Sequence, residues 1–300
     1  MERLLKSRKL SRYERKEEDI KPREALQKAT LTQRDREVLL SLYYHRCLTT
    51  EQIAEMHFRF NDHGKENSQA LVIARRRLRK LFDLKLIDRF FINVGENNGS
   101  SQAHMILDQL GARIVAGILN TTVQDLGWKY EMNAVRLPYL DHMLEVNDFY
   151  LCLLRAARSK GHEIGEFKTE NLTRYEFKHG SRIIFNPDAY GTYFAGETGF
   201  HFFHERDRGT MTLDTFQKKH RRYAAFYQSE EYLNYFDSFP LVLTVAPTWE
   251  RALALRECIY AIDNTDIQWL FTSDDLAKTN VLGPIWIGKE NHPVSLIPLS

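Results

Sequence analysis

No apolar run in this 300-residue sequence approaches the roughly 18 to 20 residues that a membrane-spanning helix needs. Residues 1–28 are charged throughout, so neither a membrane anchor nor a signal peptide is expected. The three cysteines, Cys47, Cys152 and Cys258, are odd in number, far apart and without CxxC spacing. That excludes a cysteine zinc site and fits reduced thiols in a cytoplasmic compartment. No GxGxxG or Walker pattern is present, so nucleotide hydrolysis has no support, and no serine stands in a GxSxG elbow. His201, His204 and His220 form no zinc spacing and read as satisfied or exposed histidines. Charge of one sign is lacking too: 42 Lys and Arg stand against 40 Asp and Glu, a formal +2. Total charge therefore does not identify a partner, and the position of the charges must.

What is present is ordinary globular material, long enough for two hydrophobic cores. Cations concentrate in two places. A basic arm over residues 1–29 carries Arg8, Lys9, Arg12, Arg15 and Lys16, interspersed with Glu14, Glu17, Glu18 and Asp19. Such a segment is either a solvated helix or one that folds on a partner. The second concentration is Arg75, Arg76, Arg77, Arg79 and Lys80.

Around that second cluster the sequence predicts a winged helix-turn-helix over residues 30–120. Thr32 is a good N-cap for a helix over 33–45, where Val38, Leu39, Leu42 and Tyr43 recur at helical spacing. Thr49, Thr50 and Glu51 open a second helix with Ile53, Ala54 and Met56 inward, the "T-x-x-Q-I-A" entry of many helix-turn-helix units. A third helix over 69–84 buries Leu71, Ala74, Leu78 and Leu81 and leaves Arg75, Arg76, Arg79 and Lys80 off that stripe, a cationic surface suited to phosphates and guanine edges in a major groove. Residues 86–92 and 104–107 read as the strands of a hairpin, the wing, with its turn at 95–101, and a helix over 108–119 closes the domain. The same basic run would otherwise be a solvated helix face, or the whole a winged helix used for protein contacts.

Residues 121–137 suit a linker ending at Pro138, and 138–300 a second domain of mixed helices and strands, so the fold class is α/β (α+β). A long helix from Leu140 to Ser159 is followed by strand material at 163–169, 172–177 and 182–185, the last continuing past Pro187 through 189–194. A return over 200–207 follows, then a basic amphipathic helix over 215–228, a strand at 241–245, a helix at 249–262 and a strand at 269–272. Side chains alternate along a strand, so Glu205 and Asp207 share a face, and a hairpin brings Asp188 beside them. Converging carboxylates of this kind bind hard cations such as Mg²⁺ or Mn²⁺. They are equally well explained as a buried network paired with Arg208, Arg221 or Arg222.

The run Pro187-Asp188-Ala189-Tyr190, then Glu205-Arg206-Asp207-Arg208-Gly209-Thr210, then the helix ending Arg221-Arg222-Tyr223-Ala224-Ala225-Phe226-Tyr227 resembles the replication-relaxation family of plasmids and mobile elements in Gram-positive bacteria. Leu140-Asp141-His142, Asn147-Asp148-Phe149 and the winged-helix start share in the likeness, which spans roughly residues 30 to 245. The resemblance implies a winged helix joined to a domain similar to the PD-(D/E)XK nucleases, in which an Asp and a Glu hold the metal and a Lys two residues after the Glu activates water. Asp188 and Glu205 match the first two positions, whereas Asp207 stands where the Lys belongs. The candidate catalytic set is thus Asp188, Glu205, Asp207 and Lys218, with Lys219 and His220 beside it, and Asp188 and Glu205 as Mg or Mn ligands. Expected partners are duplex DNA and plasmid replication or relaxase proteins, and winged helices that pair on DNA make a homodimer compatible with this reading.

Overall fold

The computed structural model describes residues 30–61, 64–92, 102–133 and 137–297. The basic arm and the expected hairpin turn at 95–101 lie outside the described residues. The chain divides into two compact units, Met1–Asn147 and Asp148–Ser300. Among the described residues no helix is long and apolar enough to cross a membrane.

The first unit opens with α1 (Gln33–Tyr44), β1 (Cys47–Thr49) and α2 (Thr50–His57). Both helices begin in capping boxes. Thr32 Oγ1 accepts from Asp35 N at 3.3 Å while Thr32 N donates to Asp35 Oδ2 at 2.7 Å. Thr49 and Gln52 repeat the exchange at 3.1 and 3.0 Å. Each such cap satisfies backbone donors that the helix cannot, a contribution of about 1 kcal/mol. α3 (Ala70–Asp83) follows, then β2 (Ile87–Phe91), β3 (Ala103–Leu107) and α4 (Gln109–Ile118). The buried stripe of α3 is Ala70, Ala74, Leu78, Leu81 and Phe82, and Leu71 is only half-buried.

β1 was not apparent in the sequence. Its three residues are all buried, and it joins the hairpin as an antiparallel edge in the order β1-β3-β2, with Leu48 and Arg89 flanking Met105. Gly111 allows α4 to lie against the chain entering β2, since a Cβ there would stand 2.0 Å from the Leu86 carbonyl oxygen.

α5 (Leu137–Lys160) contains the division between the units. In the first unit, Leu140 and Met143 pack with Cys47, Phe90 and Ile106. Asn147, fully buried, donates to the carbonyls of Cys47 and His45 at 2.8 and 3.3 Å and meets His45 Nδ1 at 2.9 Å. One amide thereby satisfies the backbone leading into β1 and the His45 ring. Burial pushes the His45 imidazole down to about 4.

The second unit contains β4 (Glu163–Thr169), β5 (Tyr175–His179), β6 (Ser181–Phe185), β7 (Ala189–Ala195) and β8 (Thr198–Arg206). Then come α6 (Leu213–Gln228), β9 (Leu241–Ala246), α7 (Trp249–Tyr260), β10 (Trp269–Ser273), α8 (Asp274–Asn280), β11 (Trp286–Ile287) and β12 (Pro293–Val294). Seven strands form one mixed sheet in the order β12-β11-β10-β9-β8-β7-β4. β4, β7 and β8 are an antiparallel meander, while β8, β9 and β10 are parallel and joined through α6 and α7. Phe203 and Glu205 face α6, and Phe202, His204 and Arg206 point to the other side, where His204 stacks on Phe149 of α5 at 4.0 Å and Arg206 meets Asp274 at 2.9 Å.

Residues 182–194 are not the single run that their composition suggests. β6 pairs with β5 in a separate two-stranded sheet, and β7 belongs to the main one. Pro187 cannot donate to a ladder, and its carbonyl is held by the Thr173 hydroxyl at 2.8 Å, so the chain changes sheets there. The β5–β6 hairpin lays Tyr175 and Phe185 on α6, with ring centroids 5.3 Å from Phe226 and 4.5 Å from Tyr223.

Candidate functional site

On α3 the arginines have separate fates. Arg77 lies beside the buried stripe, where Nε and Nη2 both donate to Asp35 and Nη2 also donates to the Thr30 carbonyl at 3.2 Å. Burial alone would raise the Asp35 carboxyl, but Arg77 and Thr32 outweigh it and hold it below the usual carboxylate range. Arg79 is half-buried, bonded to Asp83 at 3.0 Å with its guanidinium 5.8 Å from the Phe82 ring. Arg75, Arg76 and Lys80 are exposed, and among the described residues Arg75 comes no closer to an anion than 3.8 Å, at Glu51. At that distance an exposed pair contributes little. Of the four expected contacts, three project to solvent and Arg79 is largely engaged on its own helix.

In the second unit the register Ala189↔His204 sets Asp188 opposite Glu205. Asp188 Oδ2 accepts the Arg206 backbone N–H at 2.8 Å, and Oδ1 accepts Lys219 Nζ at 3.1 Å. The same ammonium pairs with Glu205, whose other oxygen accepts the Tyr223 hydroxyl. Glu205 is 1% exposed, and burial, with Asp188 beside it, pushes its carboxyl up to about 8. Burial works against the charge of Lys219, but Asp188 and Glu205 more than reverse this and hold its pKa above the ordinary value. One cation thus serves two carboxylates, and burial raises the proton affinity of the second.

Lys218 does not reach this cluster: it is exposed and pairs with Asp214 at 2.7 Å, one turn back along α6. Lys219 takes the place foreseen for it. Of the arginines foreseen as partners of the carboxylates, Arg221 and Arg222 lie on the exposed side of α6. Asp207 is clamped by Arg251, which donates through Nε and Nη2 at 2.9 and 3.1 Å and reaches the Met211 carbonyl at 2.6 Å. Asp207 also accepts the Gly209 N–H at 3.0 Å, with Gly209 in the left-handed region at φ 73°. The segment Asp207–Thr210 is therefore a turn that leads from the end of β8 towards α6, whose first turn is capped by Thr212.

Carboxylate oxygens are the donors that Mg²⁺ or Mn²⁺ prefer. Here, however, the position between Asp188 and Glu205 is held by the Lys219 ammonium, and Asp207 is occupied by Arg251. Among the described residues no three His, Cys, Asp or Glu side chains are grouped to hold a metal ion. The cluster as arranged carries its own cation and does not fit a divalent one.

Taken together, the exposed cations of one unit and the mixed seven-stranded sheet of the other define a two-unit protein of the α+β class. A family model described as replication-relaxation matches residues 39–242, and the chain belongs to that family. Membership points to a role in the replication or relaxation of a plasmid or other mobile element. No curated protein and no solved structure matches the chain.

Proposed function

We propose that the chain binds duplex DNA through a winged helix in its first unit, in the replication, relaxation or mobilisation of a mobile element. α3 is the recognition helix, with Arg75, Arg76 and Lys80 as its main duplex contacts and Arg79 as a lesser one. The observation that carries this reading is the segregation of cations on α3: Arg77 is consumed by Asp35, while Arg76 and Lys80 project from the face opposite the buried stripe. The order helix, strand, helix, helix, hairpin supports a winged-helix reading, and family membership is consistent with it. The second unit is then a scaffold or a docking module for replication or relaxase proteins.

Fluorescence anisotropy of a labelled duplex, titrated with the full chain over a range of salt, tests the reading. Binding should weaken steeply with salt, and Arg76→Ala and Lys80→Ala should each lower the slope by about one. An affinity and slope untouched by the double substitution would remove α3 from the interface.

A second reading, metal-dependent DNA cleavage, is favoured by the convergence of Asp188, Glu205 and Lys219. It requires Lys219 to leave the position between the carboxylates. Relaxation of supercoiled plasmid with Mg²⁺ or Mn²⁺, abolished by Asp188→Ala and by Glu205→Ala, would establish it. Intact plasmid under both metals would leave DNA binding alone.

A further inference from the structure

α3 exposes more than charge. Val72 and Ile73 are 43% and 37% exposed, two adjacent aliphatic residues on a helix rich in arginine. They share a face with Gln69, Arg76 and Lys80, since positions 69, 72, 73, 76 and 80 follow helical spacing, and that face is opposite Ala70, Ala74, Leu78 and Leu81. Gln69 stands at the N-cap, yet its side chain makes no capping bond. The helix therefore presents an amide and two aliphatic side chains in its first turns, with cations further along the same face.

A second copy of this chain is a poor occupant for such a face, because Arg75 and Arg76 on each copy would meet like charges. A polyanion with apolar points in its groove is complementary to it. In a helix-turn-helix the N-terminal residues of the second helix reach the base edges. The apolar feature of the four base pairs in the major groove is the thymine C5-methyl, and the usual partner of a glutamine amide is adenine through N6 and N7.

Resting on the DNA-binding reading above, we infer that Val72 and Ile73 seat against thymine methyl groups, with Gln69 on a neighbouring adenine, so that this face selects A·T pairs. Arg76 and Lys80 hold phosphates beside it. The site recognised is thus an A·T-containing major groove rather than duplex DNA in general.

The test is selection of duplexes from a randomised pool by the full chain, followed by replacement of each thymine in the enriched site by deoxyuridine, which deletes only the methyl. Enriched sites should hold an invariant A·T pair, and loss of a contacted methyl should weaken binding about threefold to fourfold. The Val72→Ala/Ile73→Ala variant, altered only at exposed positions, should bind thymine and uracil duplexes equally and keep its salt dependence. Salt-dependent binding without an A·T requirement, or with no loss on replacement, would overturn the inference and leave DNA binding standing. Failure to bind any duplex would overturn both.

Discussion

Arg76 and Lys219 carry the same charge and illustrate two uses of it. Arg76 projects from α3 into solvent, so its field is available to a polyanion. Lys219 is enclosed with Asp188, Glu205 and Tyr223, and its charge is spent on the protein itself. A cation at a surface adds little to stability and much to encounter with a partner, whereas a cation between buried carboxylates does the reverse.

The largest effect should come from Lys219→Met. It leaves two neighbouring carboxylates without their cation and should cost about 3 kcal/mol, read as a fall in the unfolding midpoint of the second unit. Adding Glu205→Gln should return part of that loss. A Lys219→Met protein as stable as the parent would mean that the cluster is solvated rather than paired. Next in size is Arg77→Ala, which abandons the fully buried Asp35 and should cost about 2 kcal/mol in chemical denaturation. The comparison sharpens with its neighbour, because Arg76→Ala should shift stability by less than about 0.5 kcal/mol while weakening DNA binding. If the two alanine variants behaved alike, the division of labour along α3 would be wrong.

The dependence on pH tests the same comparison from another side. The Glu205 carboxyl is raised from 4.5 to about 8 by burial and by Asp188, so its favourable contribution is complete below 4.5 and lost as pH rises through about 8. Glu205→Gln should flatten stability between those limits. His45 works in the opposite direction. Burial lowers it from 6.5 to about 4, so its contribution is present above 6.5 and lost as pH falls through about 4. Its ring resonances in an NMR titration should keep neutral-imidazole shifts down to about pH 4, and a midpoint near 6.5 would show that the ring is solvated.

Periodicity and caps made most of the first unit legible. Thr32 and Thr49 announce their helices locally, and the apolar spacing within 70–83 sets Arg75, Arg76 and Lys80 outward, although it also sends out Arg79, which turns onto Asp83 and Phe82. β1 was hidden because three residues are too few for alternation to register, and its pairing with β3 spans more than fifty positions. In the second unit, Asp188 and Glu205 are recoverable from a hairpin argument, whereas their cation is Lys219 and not the expected Lys218. The signal was available: Lys219 stands three residues after Phe216 and four before Tyr223, both buried, so it lies on the inward stripe that Lys218 misses. The Asp207–Arg251 clamp joins residues 44 positions apart, and no local pattern encodes it. Nor could composition reveal that 182–185 and 189–194 part company at Pro187, since both are apolar enough for either sheet.

The four hydrogen bonds on Asp35, two from Thr32 and two from Arg77, also set an angle. A helix rotates about 100° per residue, so a slip of one position in α3 would swing Val72, Ile73 and Arg76 away from the direction they now share. Arg77, gripped by the start of α1, acts as a detent against that rotation. The azimuth of the outward face is thus held by a residue that turns back onto α1, and a lesion there would blur what α3 reads even where the protein still folds.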